Sequence, residues 1–358
     1  MMRLLPVLFV VVFLAACDSS DPGDDLEPVT TGVFVANQGS FTDANGSVSL
    51  HDPRSGETSS FLGSVGSTVQ SLFVHNDALY VIANSGNRIH VVSLAGGAAT
   101  TIDNVLSPRY MARTSDSTAY VTSLFGAPGS FSGGKVFEIN LRRSTVIDSV
   151  DVGDNPEGIA VVDTLAFVAN NGFGFGRTVS VINTRTTEVV TTLDVDCDGP
   201  RFVLADDDPE VWVLCTGQTF YDDQGNPSGT TNGAIRIIDP ETLQITERLD
   251  VDGQIMTVGP GQDAALSTGL QQVFVVVDAN RILRYDTRSN ERIAEIGPLA
   301  GDPIGAVGFN PVQERIYVGR VPGFTQAGSV TILDLSGDSL GTFQAGVAPT
   351  YFAFRQAD

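Results

Sequence analysis

Short β-branched and aromatic runs alternate along this chain with clusters of Gly, Asn, Asp and Pro. The clearest copy of the pattern is Leu165–Asn170, Thr178–Asn183, Thr187–Leu193 and Gly199–Ala205. Apolar runs of this length, bounded by turn formers, read as strands. The four-part unit recurs seven times. A period of about 40–50 residues with four strands per unit predicts propeller blades.

Register makes the prediction sharper. With strands lettered A to D from the axis outwards, strand B opens at Val33, Leu79, Ala119, Leu165, Val211, Val273 and Ile316. Strand C opens at Ser47, Arg88, Lys135, Thr178, Ala234, Arg281 and Ser329. Strand A begins near Gln70, Arg109, Glu157, Arg201, Gln254, Ile304 and Thr350. The first unit therefore lacks an A strand, and the chain ends on a spare one, Pro349–Phe354. That strand is expected to complete blade one and close the ring, because closure protects strand edges. The expected fold is all-β: a single seven-bladed β-propeller over residues 31–358, with four antiparallel strands per blade. Length alone would suggest two domains, and the repeat overrides that prior.

Residues 1–16 are patterned as a targeting segment. Arg3 precedes the apolar stretch Leu4–Leu14, and Leu14-Ala15-Ala16-Cys17 has the form of a lipoprotein processing site. Cys17 is then the lipidated first residue; an ordinary secretory signal with a chance cysteine is the alternative. Residues 17–30 are acidic and small, which predicts a flexible tether. The expected location is the cell envelope, lipid-anchored through Cys17 at the outer membrane and exposed at the surface. Asp18 would argue for the inner membrane under enterobacterial sorting, so the membrane face stays open.

The chain carries 42 acidic against 20 basic residues, a net charge of −22, and Lys135 is its one lysine. Such a surface repels phosphate backbones and excludes nucleic acid as a partner. Cys197 and Cys215 are expected a few residues apart across adjacent strands, where an oxidising envelope allows a disulfide.

Propeller topology places the B–C and D–A loops on one face. Five B–C loops there carry aromatics among Gly, Ser and Asn: Phe41 in blade one, Phe125 and Phe131 in three, Phe173 and Phe175 in four, Phe220 and Tyr221 in five, and Phe324 in seven. Binding residues concentrate on such loops, and these rings are candidates for an apolar ligand platform. Packing among themselves is the other reading. The residues opening the A strands add a polar inner ring at the channel mouth: Gln70, Arg109, Glu157, Arg201, Gln254 and Thr350. They are ligand candidates or ordinary solvated residues. No catalytic constellation or cofactor motif is visible. His51 and His75 map to the far face and His90 to the inside of a strand, so no histidine site is expected on the looped face. Asp194, Asp196 and Asp198 have the spacing that opens a calcium loop, but the twelfth position is Ala205, and no metal is assigned.

Val150-Asp151-Val152-Gly153-Asp154-Asn155-Pro156-Glu157-Gly158-Ile159-Ala160 resembles the YVTN-type propeller repeat. Phe34–Phe41, Gly46–Pro53, Val69–Ser71, Leu79–Gly86, Ser107–Tyr110 and Ala119–Thr122 resemble a family of propeller lipoproteins long labelled as of unknown function. That family includes surface proteins that capture cobalamin and pass it to an outer-membrane transporter. The resemblance implies a non-enzymatic, surface-anchored binding protein without a resident cofactor. A corrinoid is the leading ligand and a TonB-dependent transporter the leading partner. Two other readings stand beside it: a surface scaffold gripping a protein or glycan, and a lactonase-like propeller enzyme.

Overall fold

The computed structural model describes residues 30–356. The signal segment, Cys17 and the tether lie outside these residues, apart from Thr30, which opens the first strand. Seven four-stranded antiparallel sheets form the seven blades, with one extra two-stranded hairpin, among the described residues. The closing strand sits where the repeat puts it. Pro349–Gln356 pairs with Thr30–Asn37, from Val33 opposite Phe354 to Ala36 opposite Tyr351. The Gln38 N–H then donates to the Ala348 carbonyl at 2.7 Å.

Burial explains why the runs alternate as they do. Strand B of each blade is covered on both faces by its neighbours; Val211–Cys215 is buried at every position. Strand D lies at the rim, and Glu188–Asp194 is mostly exposed. Adjacent blades join through rings, with Phe274 of blade six stacked on Phe309 of blade seven at 4.9 Å. The C–D turns share one device. Asn140, Asn183, Asp239 and Asp286 each accept a backbone N–H two residues on, which fixes the reversal with a side chain the sequence repeats.

Blade six departs from the expected register. Its A strand is Ala264–Ser267, not a strand opening near Gln254. Ile255 bridges Val277, the last residue of strand B, as Val69, Pro108, Pro156 and Pro200 do in blades two to five. Met256, not Gln254, therefore occupies the ring position. After Met256 the chain leaves the blade and rejoins it at Asp263, whose carbonyl accepts from Val276 N–H at 2.8 Å. In blade seven Ile304 pairs with Arg320, so the ring position there is Gly305.

The axis is filled. Tyr110 of blade three packs edge-on against Phe202 of blade five at 5.4 Å and lies 6.2 Å from Tyr351 of blade one. Above these rings the segment 257–262 crosses the channel. Its Val258 N–H donates to the Ile304 carbonyl at 2.7 Å, and its Gln262 N–H to the Thr350 carbonyl at 2.9 Å. Cys197 and Cys215 form a disulfide with Cα atoms 6.0 Å apart.

Candidate functional site

The looped face is built from glycine-rich B–C loops tied to the adjacent D–A loops. In blade four, Asn171-Gly172-Phe173-Gly174-Phe175-Gly176 turns tightly, with the Asn171 side chain accepting the Gly174 N–H at 2.8 Å. The Gly199 N–H then donates to the Gly176 carbonyl at 2.9 Å. Gly176 cannot carry a side chain: a Cβ would lie 2.0 Å from the Asn170 carbonyl oxygen. Phe173 takes φ +56°, left-handed backbone that costs an L-residue about 1–2 kcal/mol. In blade five the loop extends into the two-stranded hairpin Thr219–Tyr221 and Pro227–Thr230.

These loops surround a cleft of about 280 Å³ between blades four, five and six. Phe173, Phe175, Tyr221 and Met256 give it apolar walls. Arg201, Gln218 and Gln254 supply polar groups. No histidine and no carboxylate lines it.

The aromatic residues divide into two sets. Phe41, Phe131, Phe173, Phe175, Phe220 and Tyr221 retain 44–77 % of their exposure. They are the exposed large aromatics among the described residues, and all lie on B–C loops. Phe125 is half-buried and packs edge-on to Phe131 at 5.7 Å and tilted to Phe173 at 6.4 Å. Phe324 is half-buried too, over Gly259 of the crossing segment, where a Cβ would meet its ring at 2.8 Å. Those two rings close loops; the other six stay exposed, with Phe131 and Phe173 also touching Phe125.

The polar inner ring is not the solvated mouth that the repeat suggests. Gln70, Arg109, Glu157 and Thr350 are buried. Arg109 makes a bidentate pair with Glu157, at 2.8 Å through Nε and 2.6 Å through Nη2, and its Nη1 donates to Gln70 Oε1. Arg201 Nε faces Asp263 Oδ2 at 3.0 Å, and its Nη2 donates to the Gly259 carbonyl at 3.1 Å. Gln70 Nε2 donates to the Pro260 carbonyl at 2.8 Å, and the Tyr110 hydroxyl to the Gly261 carbonyl at 3.3 Å. The crossing segment thus brings three carbonyls into a ring of donors. A buried backbone oxygen needs such partners, and so do buried cations.

Electrostatics follow from that enclosure. Burial pushes the Asp263 carboxyl up, against the pull of Arg201 and of two Thr257 hydrogen bonds. Burial pulls the Arg201 guanidinium down, and Asp263, Tyr110 and Glu157 carry it above its ordinary value. Burial and the Glu157 charge push the Tyr110 hydroxyl up, so it acts as a neutral donor.

The domain of unknown function DUF5074 matches residues 31–344, which spans all seven blades and stops short of the closing strand. The chain belongs to this family. No curated protein matches it. Two solved structures share the fold of this DUF5074 propeller, and a third is a weaker likeness. A functionally unknown protein from Desulfotomaculum acetoxidans DSM 771 has a TM-score of 0.68 at 12% identity, over 91% of this chain and 99% of that one. Dihydro-heme d1 dehydrogenase NirN in complex with DHE has a TM-score of 0.60 at 11% identity, over 92% and 76%. Kuenenia stuttgartiensis hydrazine synthase reaches 0.45 at 16% identity, over 75% and 96%.

Elsewhere in the DUF5074 propeller the remaining sequence candidates lie outside the cleft. His51 stacks on Phe343 at 3.9 Å, and His75 Nε2 lies 3.1 Å from Asn76. His90 is half-buried inside its strand, with its pKa lowered by burial. Arg177 bridges Asp198 at 2.6 Å and Asp196 at 3.2 Å, so the Asp-rich turn is held by a guanidinium. The far face holds a wider groove of about 750 Å³ between blades two and three, lined by His75, Tyr80, Asp116 and Arg142. Short turns gave no sign of it, because it lies between blades and not in a loop. Sequence reasoning also missed Asp263, Tyr110 and the crossing segment. One signal was present: 19 positions separate Gln254 from Val273, against 8 from Glu157 to Leu165.

Proposed function

We propose that this protein is a non-enzymatic binding lipoprotein. It is anchored through Cys17 at the outer membrane and exposed at the surface. It captures a flat ligand on the looped face and delivers it to a TonB-dependent transporter. A corrinoid is the leading ligand. The carrying observation is the segregation of exposed aromatics: six rings on B–C loops of one face, three of which, Phe173, Phe175 and Tyr221, line a cleft. Large solvated rings on glycine-rich loops are costly to expose and suit an amphipathic, ring-shaped partner. The absence of histidine and carboxylate from the cleft lining favours binding over acid–base chemistry. The cleft itself is small for a whole macrocycle, so the ligand body would rest on the rim above it.

Titration of the mature protein with cyanocobalamin tests this. Tight binding, weakened by about 2 kcal/mol or more in Phe173→Ala/Phe175→Ala, is the expected result. Absence of binding removes the corrinoid; binding unchanged in the variant removes the aromatic rim. Cys17→Ser should release the protein from membranes, and retention of that variant would remove the anchor.

A second reading has its own observation. The hairpin of blade five exposes Phe220 and Tyr221 and has nearly every residue exposed. A protein partner gripping the same face would use it. Cross-linking from Tyr221 to a co-purifying protein, without corrinoid binding, would favour that reading.

A further inference from the structure

Arg201 differs from the other buried cation in one respect. All of Arg109's bonded edges are turned to Glu157 and Gln70, and it does not line the cleft. Arg201 does line it. Its Nε lies against Asp263 as an ion pair without hydrogen-bond alignment, and its Nη2 donates to the carbonyls of Gly259 and Gly261. The Tyr110 hydroxyl also engages the side chain, and Nη1 is not among the buried unsatisfied atoms. The side chain keeps 14% of its exposure, whereas Asp263 keeps 1% and lies outside the lining. The cation is therefore presented to the cleft and its counter-charge is not. Gln218 and Gln254 share the cleft lining with it, as do Phe173, Phe175 and Tyr221. In a chain of net charge −22, this cleft is lined by an arginine and by no carboxylate.

We propose that this cleft binds a carboxylate attached to a flat apolar body, with the carboxylate on the cleft-facing side of the Arg201 guanidinium and the body between Phe173, Phe175 and Tyr221. The guanidinium is fixed on two edges before the ligand arrives, so little ordering is left to do on binding. A charge-assisted hydrogen bond gives the anion its advantage over a neutral acceptor. The rim supplies the area and the arginine supplies the choice of group. This inference rests on the reading of the looped face as a binding face, but not on the ligand being a corrinoid.

The test uses small probes that fit the cleft alone. Binding of 2-naphthoate and 2-naphthamide to the mature protein is measured by ligand-observed NMR at neutral pH. Naphthoate should bind about tenfold more tightly than the amide, and Arg201→Gln should abolish that preference. Because Arg201 also holds Asp263, folding of the variant is checked by circular dichroism. Gln254→Glu provides a second variant that leaves the buried pair intact. Its carboxylate should weaken naphthoate about tenfold by like-charge repulsion and leave naphthamide nearly unchanged. Equal binding of the two probes, no binding of either, or naphthoate indifferent to both variants overturns the proposal. Naphthoate bound as described without any corrinoid binding would leave the cleft standing and remove the corrinoid. Corrinoid bound in Arg201→Gln as in wild type, with no competition from naphthoate, would do the reverse.

Discussion

Phe173 combines two costs that a packing residue would avoid: left-handed backbone at φ +56° and a ring more than half exposed. Left-handed backbone recurs in the turns of this propeller, as at Asn76, Asp163 and Asn290; at Phe173 it holds an exposed ring on the looped face. Phe173→Gly should relieve about 1 kcal/mol of backbone strain and leave the thermal midpoint level or higher, while weakening ligand binding. A fall in midpoint would mean that the ring stabilises its loop. Asp206 offers a pH signature. Burial holds its carboxyl up at about 6, from an ordinary value of 3.8, while Trp212 Nε1 donates to it at 3.2 Å. The native state thus binds more proton than the unfolded chain between those values, and stability falls as pH rises through that window. Asp206→Asn lacks this titration. Wild type should therefore lose midpoint relative to the variant between about pH 4 and about pH 7 in calorimetry. At this scale the sequence shows residue types well: ring, glycine and arginine were visible. Whether a ring points out or packs, as Phe175 and Phe125 do respectively, depends on neighbouring loops that a single strand pattern does not encode.

The crossing segment of blade six is the element that sets the floor of the face. Its three carbonyls and the Asp263 carboxylate are matched to Arg201, Gln70 and Tyr110 from three other blades. Breaking a buried ion pair from one side leaves a charge without compensation. Asp263→Ala should accordingly cost ~3–5 kcal/mol, read as a lower urea midpoint, and should loosen the cleft through Arg201. An unchanged midpoint would show that the segment is not held by this pair. The Gly259-Pro260-Gly261 turn and the long spacing before Val273 announced an insertion. Its destination could not be read locally, because two of its partners, Gln70 and Tyr110, lie 150 or more positions away. The hairpin of blade five was hidden likewise, since Thr219–Tyr221 is too short for a strand pattern.

At the scale of the molecule, ring closure joins the two ends of the described chain. Without Pro349–Gln356, Val33–Ala36 would lose one whole side of their pairing. Deleting 348–358 should abolish cooperative unfolding or leave the product aggregated, as monitored by calorimetry and size exclusion; an unaltered transition would contradict the role of that strand. The blade count, closure and facing of loops were legible because each follows from a repeated pattern of buried and exposed positions. The single irregular blade was not, because a repeat informs only about what repeats.

The stoppered axis also limits traffic. With Tyr110, Phe202 and Tyr351 below and 257–262 above, nothing resting on the looped face can pass through the ring to the other side. Entry and exit share one doorway. If this face carries cargo as proposed, a recipient must approach over the cargo itself, so loading and unloading would be successive occupations of the same surface and not a flow from front to back.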